Sequence, residues 1–312
     1  MKKLLRQELK SYTPEWNAKC SIITDIFIMI SSLTIGIILL YYSKKYYEIE
    51  INYSLCLNGI YNIDNKRKIC KIPFDIDKTI KHPIFVYYKL EKFYLNHRSL
   101  VESKSWKELR GEETSTISKC KNSYLMKEMF EENSPYYTNE WGHNFTEDDI
   151  SSPCGLFGRN YFNDTYNITF FNDTFINISE SNISNDYQRT KFFKRRKDYQ
   201  VKQWIDVENE HFINWMNIPT FSTFKKIWGR IDFDLEPGKY YLIVTNNYDI
   251  KKYESQKYFC ISNTNKFGIN NSFGYFFISI AIYFLLVILI LWVKYLLRKE
   301  NKKVNINKLK WY

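Results

Sequence analysis

The stretch that decides the fold is residues 273–293, FGYFFISIAIYFLLVILILWV, which contains no charged side chain. A second apolar stretch, residues 22–42, IITDIFIMISSLTIGIILLYY, carries one charge, Asp25, close to its start. Each stretch has 21 residues, and about 20 apolar residues suffice for a helix to cross a bilayer core. A cleaved signal peptide is the alternative for residues 22–42, but the apolar run is too long and no small-x-small cleavage site follows it. The sequence therefore predicts two transmembrane helices.

Basic side chains are concentrated at the two ends of the chain. Residues 1–19 carry five Lys or Arg and residues 294–312 carry seven. Because positively charged flanks stay in the cytosol and a loop longer than about 60 residues crosses the membrane largely regardless of its charge, both termini are expected in the cytosol. The predicted parts are a cytosolic tail (1–21), transmembrane helix 1 (22–42), a lumenal or extracellular β-rich ectodomain (43–272), transmembrane helix 2 (273–293) and a second cytosolic tail (294–312). The expected membrane is that of the endoplasmic reticulum, the Golgi or the cell surface.

The formal net charge of +11 invites a nucleic-acid partner, but the charge distribution argues against one. Residues 43–271 carry 33 Lys or Arg and 30 Asp or Glu, so most of the excess lies in the tails, where it can contact anionic phospholipid. The basic run 191–197, KFFKRRK, is interpreted as a solvated loop outside the cytosol, with a contact to anionic headgroups as the alternative. We expect a phospholipid membrane as a partner and no nucleic acid.

No catalytic motif survives inspection. Asp77-Lys78-Thr79 resembles the phosphorylated motif of P-type ATPases, but Ile80 replaces its Gly and the segment lies on the predicted lumenal side. The sequence has no Gly-rich phosphate loop and no Gly-x-Ser-x-Gly elbow, and its four histidines have no metal-ligand spacing. We therefore expect no enzymatic activity, no cofactor and no metal.

The cysteines and sequons fit an ectodomain outside the cytosol. Cys20 lies at the cytosolic edge of the first span and is expected to be a free thiol. The other five can form disulfides in an oxidising compartment: Cys56, Cys70, Cys120, Cys154 and Cys260. Five is an odd number, and spacing alone does not decide the pairing. Sequons, each a candidate N-glycosylation site, begin at Asn52, Asn144, Asn163, Asn167, Asn172, Asn177, Asn182 and Asn270.

The ectodomain sequence favours β-strands. Residues 48–53, EIEINY, alternate polar and apolar side chains as a half-buried strand does. Residues 239–248, KYYLIVTNNY, follow a Pro-Gly turn, and residues 101–109 are the best candidate for a short helix. The predicted fold is a membrane protein in which two transmembrane helices flank a mostly antiparallel-β, disulfide-stapled ectodomain with short helices.

Five segments, in a fixed order along the chain, resemble a known family. They are 43–54 (SKKYYEIEINYS), 83–111 (with YY-x-L-x-x-FY-x-NHR), 152–165 (with PCG and FNDT), 211–231 (with HF-x-x-WM, PT and GRI) and 235–248. These segments resemble the accessory (β) subunits of type-IV P-type ATPases, the phospholipid flippases, which form the cell-division-control-protein-50 or ligand-effect-modulator family. The residues that carry the resemblance are Tyr87, Tyr88, Phe93, Tyr94, Asn96, His97, Arg98, Pro153, Gly155, Phe162, Asp164, Thr165, His211, Phe212, Trp215, Met216, Pro219, Thr220, Gly229 and Arg230.

The resemblance implies a role, two disulfides and a glycan. The role is that of a non-catalytic subunit and chaperone in a heterodimer with a type-IV P-type ATPase. Such a subunit is needed for the pump's folding, its exit from the endoplasmic reticulum and its movement of aminophospholipids such as phosphatidylserine to the cytosolic leaflet. The implied disulfides are Cys56–Cys70 and Cys120–Cys154, which leaves Cys260 extra, and Asn163 is the implied glycan position. Two alternatives stay open: a partner in which the ATPase is fused to another enzyme such as a guanylate cyclase, or a stand-alone membrane receptor or adhesion ectodomain.

Overall fold

A computed structural model describes residues 18–56, 62–64, 68–113, 120, 123–130, 135–250, 253–263 and 271–309. The chain divides into two units. One consists of Met1–Tyr46 together with Asn265–Tyr312 and contains two long helices, and the other, Tyr47–Thr264, contains the β-sheets.

Helix α1 (Ala18–Lys45) and the last helix of the chain, Asn271–Leu309, form the first unit. Within them, Cys20–Lys45 and Asn271–Leu297 are long and apolar enough to cross a membrane, and these segments contain the two predicted spans. Many of their large apolar side chains are exposed, for example Phe27 (74%), as expected for helices that face lipid.

Two glycines let these helices approach each other closely. A Cβ atom on Gly36 would lie 2.9 Å from the side chain of Ile278 and 3.1 Å from the backbone oxygen of Gly274. A Cβ atom on Gly274 would lie 2.6 Å from the side chain of Leu40. Small residues at such a crossing are a common means by which membrane helices pack.

The second unit is built from two antiparallel sheets. The strands are β1 (Glu48–Asn52), β2 (Asn62–Asp64), β3 (Ile69–Ile76), β4 (Ile84–Glu91), β5 (Thr165–Phe170), β6 (Phe175–Ile176), β7 (Phe224–Ile231), β8 (Gly238–Thr245) and β9 (Gln256–Asn263). Sheet A has the order β1-β9-β4-β7 and sheet B the order β2-β3-β8-β5-β6. Every pairing between these nine strands is antiparallel, which confirms the predicted fold class.

The two sheets share one hydrophobic core. Along β4, buried and partly exposed side chains alternate, so that Ile84 and Val86 lie inside, as the period of a strand requires. Tyr166 of β5 joins sheet B to sheet A, because its ring lies 5.1 Å from the rings of both Trp228 in β7 and Phe259 in β9. Each large side chain buried in this way contributes about 1.5–3 kcal/mol.

Short helices occupy the connections between the strands. They are α2 (Arg98–Glu102), α3 (Trp106–Leu109), α4 (Met126–Met129), α5 (Leu156–Arg159), α6 (Asp186–Phe192), α7 (Tyr199–Lys202) and α8 (Glu210–Met216). The final helix, Asn271–Leu309, is α9. The helix predicted over 101–109 is divided into α2 and α3, because the hydroxyl of Ser105 accepts a hydrogen bond from the backbone N–H of Glu108 and so begins a new helix.

The basic run 191–197 is not the freely solvated loop that was expected. Its Phe193 is buried in the core. Arg195 pairs with Asp206 at 2.5 Å, and Arg196 pairs with Asp198 at 3.0 Å. The run is therefore held to the ectodomain at several points.

Two disulfides join distant parts of the β unit. Cys56 is bonded to Cys70, and Cys120 is bonded to Cys154, with Cα–Cα distances of 5.9 and 5.8 Å. These are the pairs that the resemblance implies. Cys20 is free and exposed, and Cys260 is free and buried in β9.

Candidate functional site

A charged pair lies in the interior of the ectodomain. The Lys257 and Asp164 side chains are 1% and 0% exposed, and Lys257 Nζ lies 2.6 Å from Asp164 Oδ2. Lys257 Nζ also donates to Asn246 Oδ1 and, at 2.5 Å, to the carbonyl oxygen of Tyr248. All three ammonium hydrogens therefore have an acceptor, as a buried charge requires.

The Asp164 carboxylate also has several hydrogen-bond donors. Asp164 accepts from the Tyr53 hydroxyl at 2.9 Å and from the backbone N–H of Tyr248 at 2.6 Å. The Tyr53 and Tyr166 hydroxyl oxygens lie 2.5 Å apart. Burial raises the pKa of the Asp164 carboxyl, although Lys257 opposes the shift. We use the name buried polar cluster for the side chains of Lys257, Asp164, Tyr53, Tyr166 and Asn246.

The cluster connects strands of both sheets. Lys257 belongs to β9 and lies on the same buried face as Phe259 and Ile261. Asp164 directly precedes β5, and Tyr53 directly follows β1. Because removing one member would leave the opposite charge buried and unpaired, the cluster stabilises this arrangement of the strands.

Aromatic residues from three of the recognised segments meet beside this cluster. The rings of Tyr88 and Phe162 are stacked, with centroids 4.0 Å apart and planes 8° apart. The ring centroid of Trp215 lies 6.4 Å from that of Phe162 and 6.3 Å from that of Phe93. The Trp215 Nε1–H donates to the carbonyl oxygen of Phe157 at 3.1 Å, so the polar edge of the buried indole has its partner.

The end of helix α8 is held by a second buried lysine. Lys226 Nζ donates to the carbonyl oxygens of Asn214, Trp215 and Asn217 at 2.6, 2.7 and 2.5 Å. Carbonyls at a helix C-terminus lack partners within the helix, and a cation there is favourable. Burial, with a smaller contribution from nearby Lys104, lowers the pKa of Lys226 to about 7.

The Pro-Cys-Gly turn fits against helices α2 and α3. Gly155 has φ +114°, and a Cβ atom there would lie 2.2 Å from the backbone oxygen of Ser103, so only glycine fits. The Cys154 backbone N–H donates to Glu108 at 2.9 Å, and the Pro153 carbonyl accepts from Trp204 Nε1 at 2.8 Å.

The residues that carry the family resemblance differ in their exposure to solvent. Those that are buried are Tyr88, Phe93, Pro153, Gly155, Phe162, Asp164, Phe212, Trp215, Met216 and Gly229. Those that are partly exposed are Tyr87, His211, Pro219 and Arg230. Those that are exposed are Tyr94, Asn96, His97, Arg98, Thr165 and Thr220.

Two recognised segments form one surface. Asn96 Nδ2 donates to the carbonyl oxygen of Thr220 at 2.9 Å, which brings residues 94–98 next to residues 218–221. Three large apolar side chains are exposed here, Tyr94 (65%), Phe221 (74%) and Ile218 (42%). We call residues 94–98 and 218–221 the loop-pair surface. Exposed aromatic side chains gathered on a polar background are typical of protein–protein contacts.

Six of the candidate glycan positions are exposed on the ectodomain: Asn52, Asn144, Asn167, Asn172, Asn177 and Asn182. Asn163 is partly buried. Asn270 lies outside the described residues.

Among the described residues, two groups of potential metal ligands come close together. In the first, Glu108 stands beside Cys120 and Cys154, whose sulfurs are consumed by their disulfide. In the second, the ligands are Glu48, Glu50 and Cys260. Lys225 pairs with both of those glutamates and Lys89 pairs with Glu50, so ammonium groups already neutralise the carboxylates.

Sequence reasoning missed the buried lysines and the Tyr53–Tyr166 pair. The sequence of β9 contains a signal, because Lys257, Phe259 and Ile261 are spaced two residues apart and therefore point to the same face of the strand. A lysine on the apolar phase of a strand indicates a buried charge that requires an acidic partner.

Comparisons with known proteins agree with the recognised segments. The model of the LEM3 (ligand-effect modulator 3) family / CDC50 family matches residues 39–302. "ALA-interacting subunit 3" of Arabidopsis thaliana is 28% identical over 298 residues, which cover 87% of this chain and 78% of that protein. "Cell cycle control protein 50A" of Bos taurus is 26% identical over 342 residues, covering 96% of this chain and 90% of that protein. With its two membrane-spanning helices and antiparallel ectodomain, the chain belongs to the CDC50/LEM3 family.

Proposed function

We propose that this chain is the non-catalytic accessory subunit of a type-IV P-type ATPase and forms a heterodimer with it. The observation that carries the proposal is the family match over residues 39–302, which includes the end of the first apolar helix, the whole ectodomain and the apolar part of the last helix. Relatives from Arabidopsis thaliana are named as interacting subunits, and a subunit of that kind acts by binding.

The proposed topology has both tails in the cytosol and the ectodomain in the lumen or outside the cell. It is supported by the basic residues at the two ends of the chain and by the two disulfides, which persist in oxidising compartments. The basic tails would contact anionic lipid, with about 1 kcal/mol for each Lys or Arg near the surface.

The proposed role includes assisting the folding of the pump and its exit from the endoplasmic reticulum. The bound pump would then move aminophospholipids such as phosphatidylserine to the cytosolic leaflet. The loop-pair surface is the proposed contact with the exoplasmic loops of the pump, because it presents Tyr94 and Phe221 without a covering segment among the described residues.

Purification of the full-length tagged chain in mild detergent tests this proposal. A P-type ATPase should be recovered in a one-to-one ratio, and its mass would reveal a fused second enzyme. Loss of the chain should leave the pump in the endoplasmic reticulum. Recovery of the chain alone would contradict the proposal and would favour a stand-alone receptor.

The contact surface can be tested with a matched pair of variants. Tyr94→Ser should reduce recovery of the ATPase, with a further loss when Phe221→Ser is added. Tyr187→Ser is the control, since Tyr187 is equally exposed (64% against 65%) and lies on α6. Equal recovery with Tyr94→Ser and Tyr187→Ser would place the contact elsewhere.

A further inference from the structure

The hairpin between β5 and β6 ends in a three-residue loop with a defined geometry. The Phe170 backbone N–H donates to the carbonyl of Thr174, and the Asp173 N–H donates to the carbonyl of Phe170, both at 3.0 Å. Asp173 has φ +62°. A turn followed by a left-handed residue is one of the common three-residue hairpin loops.

The three residues of one sequon, Asn172, Asp173 and Thr174, lie in this turn. The Thr174 hydroxyl donates to Asn172 Oδ1 at 2.7 Å, and the Thr174 N–H donates to the same oxygen at 3.2 Å. Lys71 pairs with Asp173 at 2.5 Å and holds the left-handed residue in place. Asn172, Asp173 and Thr174 are all exposed, so the Asn172 amide nitrogen is directed to an accessible part of the surface.

An aromatic ring lies at the base of the same turn. Phe170 and Thr174 are opposite each other across the hairpin, so their side chains lie on one face of it, and the hydroxyl of Thr174 reaches Asn172 from that face. Phe170 packs against Tyr240, with ring centroids 5.4 Å apart, and remains 37% exposed. A partly exposed ring two residues before a sequon asparagine offers an apolar, electron-rich face to the first sugar of a glycan.

Asn163 has a different environment. Asn163 is partly buried, its carbonyl accepts from Asn247 at 3.3 Å, and it directly precedes the buried Asp164. Asn172 is therefore the more exposed of the two positions.

We propose that Asn172 carries an N-linked glycan whose first N-acetylglucosamine packs on Phe170, so that the 170–174 turn is a structural glycosylation site. In the transfer, Asn172 Nδ2 loses a proton and bonds to the anomeric carbon of the first sugar. The bond from that carbon to the diphosphate oxygen of a polyprenyl-diphosphate-linked oligosaccharide breaks. The inference rests on the lumenal placement of the ectodomain under the proposed function.

The full-length chain, expressed in eukaryotic cells, tests the inference by glycopeptide mass spectrometry at every sequon. Asn172 should be occupied in most molecules. An unmodified Asn172 in a chain that carries glycans at other sequons would overturn this inference while leaving the topology intact. A chain with no glycan at any sequon would overturn the topology as well.

The packing on Phe170 is tested by thermal unfolding of the glycosylated chain. Phe170→Ala should lower the Tm by about 2–4 °C more in the wild-type background than in the Asn172→Gln background. Phe171→Ala is the matched control, because Phe171 is adjacent, more exposed (65%) and stacks on Tyr241 instead, so its effect should be the same in both backgrounds. An equal effect of Phe170→Ala in both backgrounds would refute the sugar–ring contact.

Discussion

Asp164→Asn is the substitution that tests the buried polar cluster most directly. It retains the size and shape of the side chain but removes the negative charge, which leaves the Lys257 ammonium buried without a counter-ion. The sequon at Asn163 is preserved, since the central position of a sequon tolerates any residue except proline. A change in stability would therefore not arise from a lost glycan site.

The expected effect is large. Breaking a buried ion pair by removing one partner costs about 3–5 kcal/mol, and 1 kcal/mol shifts the Tm of a domain of 150–250 residues by about 2–4 °C. For the unit Tyr47–Thr264, the Tm should fall by about 10 °C. The purified full-length chain can be followed in detergent by tryptophan fluorescence, because Trp204 and Trp215 are almost fully buried.

A matched control exists on the same sheet. Asp173→Asn makes the same chemical change at the centre of another sequon, but its pair with Lys71 is exposed (69% and 28%), and exposed pairs contribute at most about 1 kcal/mol. Asn also tolerates the left-handed backbone at this position. A Tm loss for Asp164→Asn no greater than that for Asp173→Asn would refute the reasoning, and the double variant Asp164→Asn/Lys257→Met should recover part of the loss because it removes the unpaired charge.

Three further predictions follow from other buried groups. The folded-state pKa of Lys226, about 7, lies below its ordinary value of 10.5, so the unfolded chain binds more protons between these pH values and stability rises with pH, by at most about 1.4 kcal/mol per pH unit. The Tm of wild type minus the Tm of Lys226→Met should therefore increase from pH 7 to pH 9. The Tm of wild type minus the Tm of Lys225→Met should stay constant, because carboxylates raise the pKa of Lys225 despite its partial burial. Burial raises the pKa of the Cys260 thiol to about 12, so in a Cys20→Ser background the folded chain should resist N-ethylmaleimide at pH 8 and react once unfolded; rapid labelling of the folded chain would contradict this. Gly36→Val should lower the thermal stability of the helix pair in detergent, because its side chain would contact the Gly274 backbone, while Thr34→Val on an exposed face should have little effect.

The two spans and the β-rich middle could be predicted because each depends on a local pattern. Residues 273–293 are apolar without interruption, and residues 48–53 alternate in a way that only a half-buried strand explains. The order of strands in the sheets could not be predicted, because β9 pairs with β1 and β4 across about 200 residues of sequence. Pairing at that distance depends on the packing of both sheets and not on local propensity.

Several residues of the loop-pair surface were named from the sequence because they carry the family resemblance, but the surface itself was not predicted, for a related reason. Within residues 93–96, Phe93 and Leu95 are buried while Tyr94 and Asn96 are exposed. The sequence presents these four residues as one motif, although two of them anchor the segment and two face outward. Only the hydrogen bond from Asn96 to Thr220 shows that a second, distant segment completes the surface.

This division between anchoring and exposed residues separates two ways in which partner binding can fail. Asp164→Asn would reduce recovery of the ATPase because the ectodomain that presents the loop-pair surface loses stability, and the loss should shrink when cells are grown at a lower temperature. Tyr94→Ser leaves the core contacts of Phe93 in place, so recovery should fall at every growth temperature while the Tm stays within about 1–2 °C of wild type. If both variants lost the partner only in proportion to their Tm, the recognised segments would serve the fold alone, and the contact with the ATPase would lie on another face or in the membrane helices.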